Sequence, residues 1–143
     1  MRKLLLIVVC FLAICSCKKK EDSGTSPMIT IESIYPLEVV EFKDSIIINL
    51  SYCDLDGDLG RQDPDNNSLW IKDERVPEGE TYHLPPITEE NKNNTTGTIR
   101  VYIPSLFLFG NGDQEVTKLT LKIQDQSGNW SEAIVTPQII VNK

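Results

Sequence analysis

After residue 28, the commonest pattern in this chain is an alternation of apolar and polar residues, the two-residue period of a β-strand with one buried face. It is clearest over residues 44–52, where Ile46, Ile48, Leu50 and Tyr52 point one way and Asn49 and Ser51 point the other. No later stretch keeps the 3.6-residue apolar period of a helix for three turns. The alternation therefore predicts an all-β domain in which one face of each strand contributes to the core.

Further segments of the same kind predict the rest of the domain. Turns rich in Gly, Pro, Asn and Asp separate them, and Pro137 interrupts the last one, which suits an edge strand or a bulge. Residues 88–97 are polar throughout and are predicted to form a loop or a hairpin excursion. Six or seven strands of this kind indicate a β-sandwich. The further predicted strands are residues 28–33, 68–72, 98–103, 118–124 and 131–141.

The amino-terminal segment has the pattern of an export signal. Arg2 and Lys3 precede an uninterrupted apolar run over residues 4–14, which is too short for a stable membrane span. Ile14 and Ser16, three and one residues before Cys17, resemble the lipobox of bacterial lipoproteins. The resemblance implies that residues 1–16 are removed and that Cys17 is acylated, so that the membrane is a partner through the lipid. An ordinary cleaved signal peptide and an amino-terminal membrane helix are the alternatives.

The segment after the lipobox predicts a tether and a cellular location. Residues 18–22 (KKKED) are similar to the surface-export signal of Bacteroidota lipoproteins, which implies the outer membrane, with the cell surface favoured over the periplasm. Residues 17–27 continue as a polar, Ser- and Gly-containing stretch typical of a flexible linker. Three parts are therefore predicted: a signal peptide (residues 1–16), a lipid-anchored tether (17–27) and one sandwich domain (28–143).

The charge balance excludes one class of partner. The 143-residue chain has 14 basic and 21 acidic residues; removing Arg2 and Lys3 with the signal leaves 12 against 21, a net charge of −9. A nucleic-acid-binding protein needs a basic face that neutralises phosphates. We therefore expect no nucleic-acid partner.

An acidic loop is the strongest candidate for a binding site. Asp54, Asp56 and Asp58 lie at alternate positions, and carboxylate oxygens spaced in this way can surround Ca²⁺. Asp65 and Asp125 are further candidate ligands. The loop is not an EF-hand, because Leu59 stands where that motif requires glycine and the flanking segments are predicted strands. A polar turn with no metal is the alternative, since Asp and Gly are common turn formers.

Three motifs carry a resemblance to a known group of proteins. Residues 54–60 read D-x-D-G-D-L-G, residues 125–131 read D-x-x-G-N-x-S, and residues 136–139 read T-P-x-I. Together with the lipobox, they resemble a group of Bacteroidota lipoproteins with immunoglobulin-like domains. The resemblance implies an immunoglobulin-like or fibronectin-III-like sandwich and a membrane compartment, but no activity. In such a sandwich the loops after Asp54 and Asp125 join strands B to C and F to G, and both lie at one end.

Two classes of function follow. The first is a non-enzymatic, membrane-anchored binding or accessory domain for an unidentified protein or glycan. The second is a carboxylate-dependent, glycosidase-like hydrolase using Asp56 and Asp58 with a glutamate from another strand, which requires two carboxyl groups across a cleft. A cleft holding a carboxylate of raised pKa would favour the hydrolase. The chain has one histidine, His83, and none of the common serine- or zinc-hydrolase motifs, so we predict that it is not an enzyme.

Overall fold

The computed structural model describes residues 26–87 and 95–143, and all regular secondary structure in them is β. The predicted signal peptide and Cys17 lie outside these residues. Within the described part of the chain, no helix has the length and hydropathy needed to cross a bilayer. The strands are β1 (Met28–Tyr35), β2 (Glu38–Val40), β3 (Ile46–Asp54), β4 (Leu69–Asp73), β5 (Glu80–Tyr82), β6 (Thr95–Ile103), β7 (Gln114–Thr117), β8 (Leu119–Ile123), β9 (Ile134–Val135) and β10 (Ile139–Asn142).

These strands form three sheets. The first has the order β1-β3-β6 and is antiparallel throughout. The second has the order β5-β4-β8-β9, and the third has the order β2-β10-β7, in which β2 runs parallel to β10. Only Lys118 separates β7 from β8, so the second and third sheets continue into each other along one chain segment. The fold is all-β and is consistent with the predicted sandwich.

The core confirms the predicted inward faces. Ile46, Ile48 and Leu50 of β3 are completely buried, as are Leu121 and Ile123 of β8. These side chains belong to one cluster that draws on all three sheets. Burial of each such side chain contributes roughly 1.5–3 kcal/mol, so this cluster is the main source of stability in a domain with few ion pairs among its described residues.

The prediction of a loop over residues 88–97 is wrong for its last part. Residues 95–97 form the start of β6, where Thr95 pairs with Asp54 and Gly97 pairs with Tyr52. Their polarity hid the strand, but β3 needs a hydrogen-bonding neighbour along its whole length. At Gly97, an added Cβ would lie 2.7 Å from the Tyr52 hydroxyl, so glycine gives that side chain room. Residues 88–94 lie outside the described part of the chain.

The predicted number of strands is also too low, because the described residues form ten. The last predicted strand, residues 131–141, forms two strands, β9 and β10, and three strands of three or four residues were missed, namely β2, β5 and β7. They are too short to show a repeating apolar pattern, and they exist because a neighbouring strand offers hydrogen bonds. Pro137 separates β9 from β10, as expected for a proline near a sheet edge.

The strand directions define two ends of the domain. At one end, which we call the acidic end, β3 finishes at Asp54 and β1 begins at Met28, one pairing position away. At the opposite end, β6 finishes at Ile103, which pairs with Ile46 at the start of β3. We call this the aromatic end, because Phe107 and Phe109 follow Ile103 in the chain and Phe42 precedes Ile46.

Candidate functional site

The three alternating acids converge at the acidic end. One carboxylate oxygen from each of Asp54, Asp56 and Asp58 lies within 4.8 Å of the others. Asp54 is fixed as the last residue of β3, and Gly57 takes the left-handed conformation at φ 70°, which turns the chain directly after Asp56. Strand geometry holds the first acid and the following turn folds the next two towards it, so the sequence spacing becomes a cluster in space.

Asp54 has the most unusual environment of the three. Its side chain is completely buried, and neither carboxylate oxygen has a hydrogen-bond partner. Burial raises the pKa of Asp54 to about 6, and the nearby Asp56 and Asp58 carboxyl groups act in the same direction. The nearby backbone amide of Asp58 offsets part of this rise. The ionised form of Asp54 is therefore costly unless a positive charge lies close to it.

Asp58 connects the acidic loop to the second predicted loop. Its Oδ2 accepts hydrogen bonds from the Ser127 backbone amide at 3.1 Å and from the Ser127 hydroxyl at 2.8 Å. Its backbone carbonyl accepts from the Gln126 amide at 3.0 Å, and Leu59 forms a β-bridge with Asp125. The predicted meeting of the two loops is thereby confirmed. The other Asp58 oxygen, Oδ1, is buried and has no partner.

The remaining two candidate ligands lie outside the cluster. Asp125 is completely buried, but its two carboxylate oxygens accept hydrogen bonds from the backbone and the side chain of Asn129, at 2.7 and 2.9 Å. Asp65 is exposed and lies in a turn that the Asp63 carboxylate caps, accepting from the Asp65 amide at 3.0 Å. Three of the five predicted ligands therefore come together, and Asp125 instead stabilises its own turn.

The aromatic end carries a surface that the sequence analysis did not single out. The Phe42 and Phe107 rings stack with centroids 5.6 Å apart, and Phe109 lies 4.9 Å from Phe107. All three are exposed, by 73%, 42% and 52% of their surface. We call these three residues the phenylalanine cluster. Two of them occur in the segment LFLFG (106–110), where the bulky residues at alternate positions were the available signal.

The phenylalanine cluster is held by specific contacts. Phe42 takes a left-handed backbone conformation, φ 56°, which is rare for a bulky side chain, and its amide donates to the Leu106 carbonyl. The Arg75 guanidinium lies 4.7 Å from the centroid of the Phe109 ring and donates to the Phe107 carbonyl. Strained backbone of this kind is concentrated at functional sites.

A cavity of about 350 Å³ opens beside this cluster. Its walls combine apolar side chains with a few charged ones, a composition that is common in ligand sites. A neighbouring cavity of about 230 Å³ shares Ile71 and Tyr82 with it. Asp54, Asp56 and Asp58 line neither of these two cavities. The residues lining the larger one include Ile71, Arg75, Glu80, Leu106, Phe107 and Phe109.

The tryptophans are placed beside a lysine. The Lys122 ammonium lies 4.7 Å from the Trp70 ring centroid and 5.2 Å from that of Trp130, so one cation bridges two rings. Both rings could in principle stack on a sugar, but their contact with Lys122 favours a packing role for them.

No protein-family model matches this chain, and a search of curated proteins found no match either.

Proposed function

We propose that this protein is a non-enzymatic lipoprotein domain, tethered to the outer membrane through Cys17, that binds a protein or glycan partner with its phenylalanine cluster. The observation that supports it best is the placement of the two ends. The tether joins the domain at Met28, at the acidic end, and the exposed cluster lies at the opposite end.

The point at which the tether joins the domain favours the aromatic end as the outward one. Residues 17–27 are eleven residues, which reach at most roughly 35–40 Å when fully extended. A domain held by that tether is attached to the lipid at its acidic end, so the aromatic end is the end farther from the point of attachment. Exposed aromatic side chains beside a cavity are what a membrane-anchored binding domain needs on its outward side.

The hydrolase alternative has one observation in its favour, the raised pKa of Asp54. That carboxyl group is completely buried, whereas a general acid must reach its substrate. Asp54, Asp56 and Asp58 also line neither of the two cavities described above, whereas a glycosidase holds its carboxyl groups across a substrate cleft. The geometry therefore favours binding over hydrolysis.

The anchor is tested by mass spectrometry of the mature amino terminus and by membrane fractionation. We expect a diacylglyceryl and acyl mass on Cys17, and release of the Cys17→Ala variant from the membrane fraction. Unmodified protein in the soluble fraction would overturn the anchor. Protease added to intact cells then distinguishes the two locations, because a surface domain is digested and a periplasmic one is protected.

The binding surface is tested by photo-crosslinking in cells. A photo-reactive amino acid replaces Phe109, and the control replaces Leu55, which has a similar exposure but lies at the acidic end. We expect a discrete adduct from position 109 and a much weaker one from position 55. Equal adducts at both positions, or none at 109, would overturn the assignment of the phenylalanine cluster as the binding surface.

A further inference from the structure

A completely buried carboxylate with no hydrogen-bond partner points to a missing positive charge at the acidic end. Asp54 is 0% exposed, both of its oxygens lack partners, and one of them faces the Asp56 and Asp58 carboxylates within 4.8 Å. Buried polar groups in native proteins are almost always hydrogen-bonded or bound to an ion. Among the described residues, no Lys or Arg forms an ion pair with Asp54, and the nearby Asp58 backbone amide offsets only part of the effect of its burial.

We infer that Asp54, Asp56 and Asp58 form a calcium site that closes the acidic end of the sandwich. All three ligands are carboxylate oxygens, which hard divalent cations prefer over softer metals. Calcium takes oxygens at about 2.3–2.6 Å, so oxygens of one shell lie up to about 5 Å apart, which accommodates this cluster. Magnesium binds at about 2.0–2.1 Å and needs a tighter, near-octahedral group.

Two of the three ligands are held in place by different parts of the fold. Asp54 is paired with Thr95 across the first sheet, and Asp58 is held through its Oδ2 by Ser127. The buried Oδ1 of Asp58 has no partner and is free to bind the ion. Asp56 is exposed and completes the group from the solvent side. The ion would therefore bind the end of β3 and the loop after it, and Asp58 links that loop to the turn that follows β8.

This site does not depend on the proposed lipid anchor or on the phenylalanine cluster. Its ligands all lie in the described domain, and its test uses calcium alone. The protein is purified after expression of the full chain, treated with chelator and titrated with CaCl₂ by calorimetry. We expect one site with a Kd of roughly 10⁻⁴–10⁻³ M, the range of extracellular calcium modules.

Two variants make the test specific. Asp56→Asn removes the negative charge of one exposed ligand and should weaken calcium binding at least tenfold without disturbing the fold, because this side chain is at the surface. Asp65→Asn is the matched control, since it makes the same change of charge in the same loop but outside the cluster, and it should bind as the wild type does. Circular dichroism of both variants verifies folding.

The outcomes separate the alternatives. Calcium binding that is lost in Asp56→Asn and kept in Asp65→Asn would support the site. No heat of binding and no calcium-dependent rise in Tm would overturn it and return the loop to a polar turn. An equal loss of calcium affinity in both variants would mean that binding depends only on the net charge of the loop, which also overturns the site. Equal affinity for magnesium would overturn the assignment to calcium.

Discussion

Met28, the first residue of the first strand, pairs directly with Cys53, the residue before Asp54. The place where the chain enters the sandwich is therefore adjacent to the acidic cluster. Because the chain enters beside the acidic cluster, we propose different roles for the two ends of the domain. The acidic end is the base of the anchored domain, where a bound ion would stiffen the attachment, and the aromatic end is the outward surface.

Truncation of a central core side chain tests the packing. Leu50 is completely buried in β3, and Leu50→Ala should lower the free energy of unfolding by about 2–5 kcal/mol, because it removes buried methyl groups and leaves a cavity. Urea unfolding followed by circular dichroism measures this change. The exposed Tyr102 provides the comparison, and Tyr102→Ala should change stability by about 0.5 kcal/mol or less. Similar losses in the two variants would contradict the assigned inward face.

A glycine in the acidic loop is required by its surroundings. Gly60 has φ 83°, and a Cβ added there would lie 2.1 Å from the Pro85 carbonyl oxygen, which is backbone and cannot rotate away. Gly60→Ala should therefore destabilise the domain by about 2 kcal/mol or more. Gly112→Ala is the control, because a Cβ there meets only ordinary contacts at 3.7 Å or beyond. Thermal denaturation of both variants would reveal the difference, and a Gly60→Ala protein with an unchanged Tm would refute it.

Asp73 and Arg75 form an ion pair at the aromatic end, and this pair should make the free energy of unfolding depend on pH in the acid range. Burial by itself raises the pKa of Asp73, but hydrogen bonds from Arg75 and from the Thr117 hydroxyl outweigh burial and hold this pKa below its usual value of 3.8. Asp73 therefore binds a proton less tightly in the folded state than in the unfolded state. The stabilisation is fully present above about pH 4 and is lost as the pH falls through the lowered pKa.

Urea unfolding at a series of pH values tests this dependence. Asp73→Asn should be less stable than the wild type at pH 7, by about 1–3 kcal/mol, since Arg75 and Thr117 lose a charged partner. Its stability should also fall less steeply between pH 4 and pH 2. Parallel acid profiles of the two proteins would show that Asp73 is not the group responsible.

Removal of the buried charge of Asp54, at the acidic end, should raise the free energy of unfolding, whereas removal of the Asp73 charge lowers it. In chelator at pH 7, Asp54 must ionise in the core, and a pKa raised from 3.8 to about 6 corresponds to about 3 kcal/mol of destabilisation. Asp54→Asn should therefore increase the free energy of unfolding in chelator, by up to that amount. Asp65→Asn, at an exposed position, should leave it nearly unchanged. A loss of stability in Asp54→Asn would show that the ionised carboxylate has a favourable partner.

The amino-acid sequence by itself determined the strands that have a long alternating pattern and the side chains that they bury. Ile46, Ile48 and Leu50 were assigned to the core correctly because side chains in a strand point to alternate sides, whichever strand lies next to it. The spacing of Asp54, Asp56 and Asp58 likewise identified the cluster, because three positions within five residues stay close to each other, whereas Asp65, farther along the same loop, does not join them.

Only the tertiary structure decided features that depend on a partner distant in the chain. β2 exists because β10 offers it hydrogen bonds, about 100 residues later, and Thr95 is in a strand because Asp54 lies opposite it. Asp58 is linked to Ser127 by two hydrogen bonds, and Asp54 is buried because β3 carries it inside. Hydrogen bonds and burial between distant segments are set by packing, which no local pattern of residues encodes.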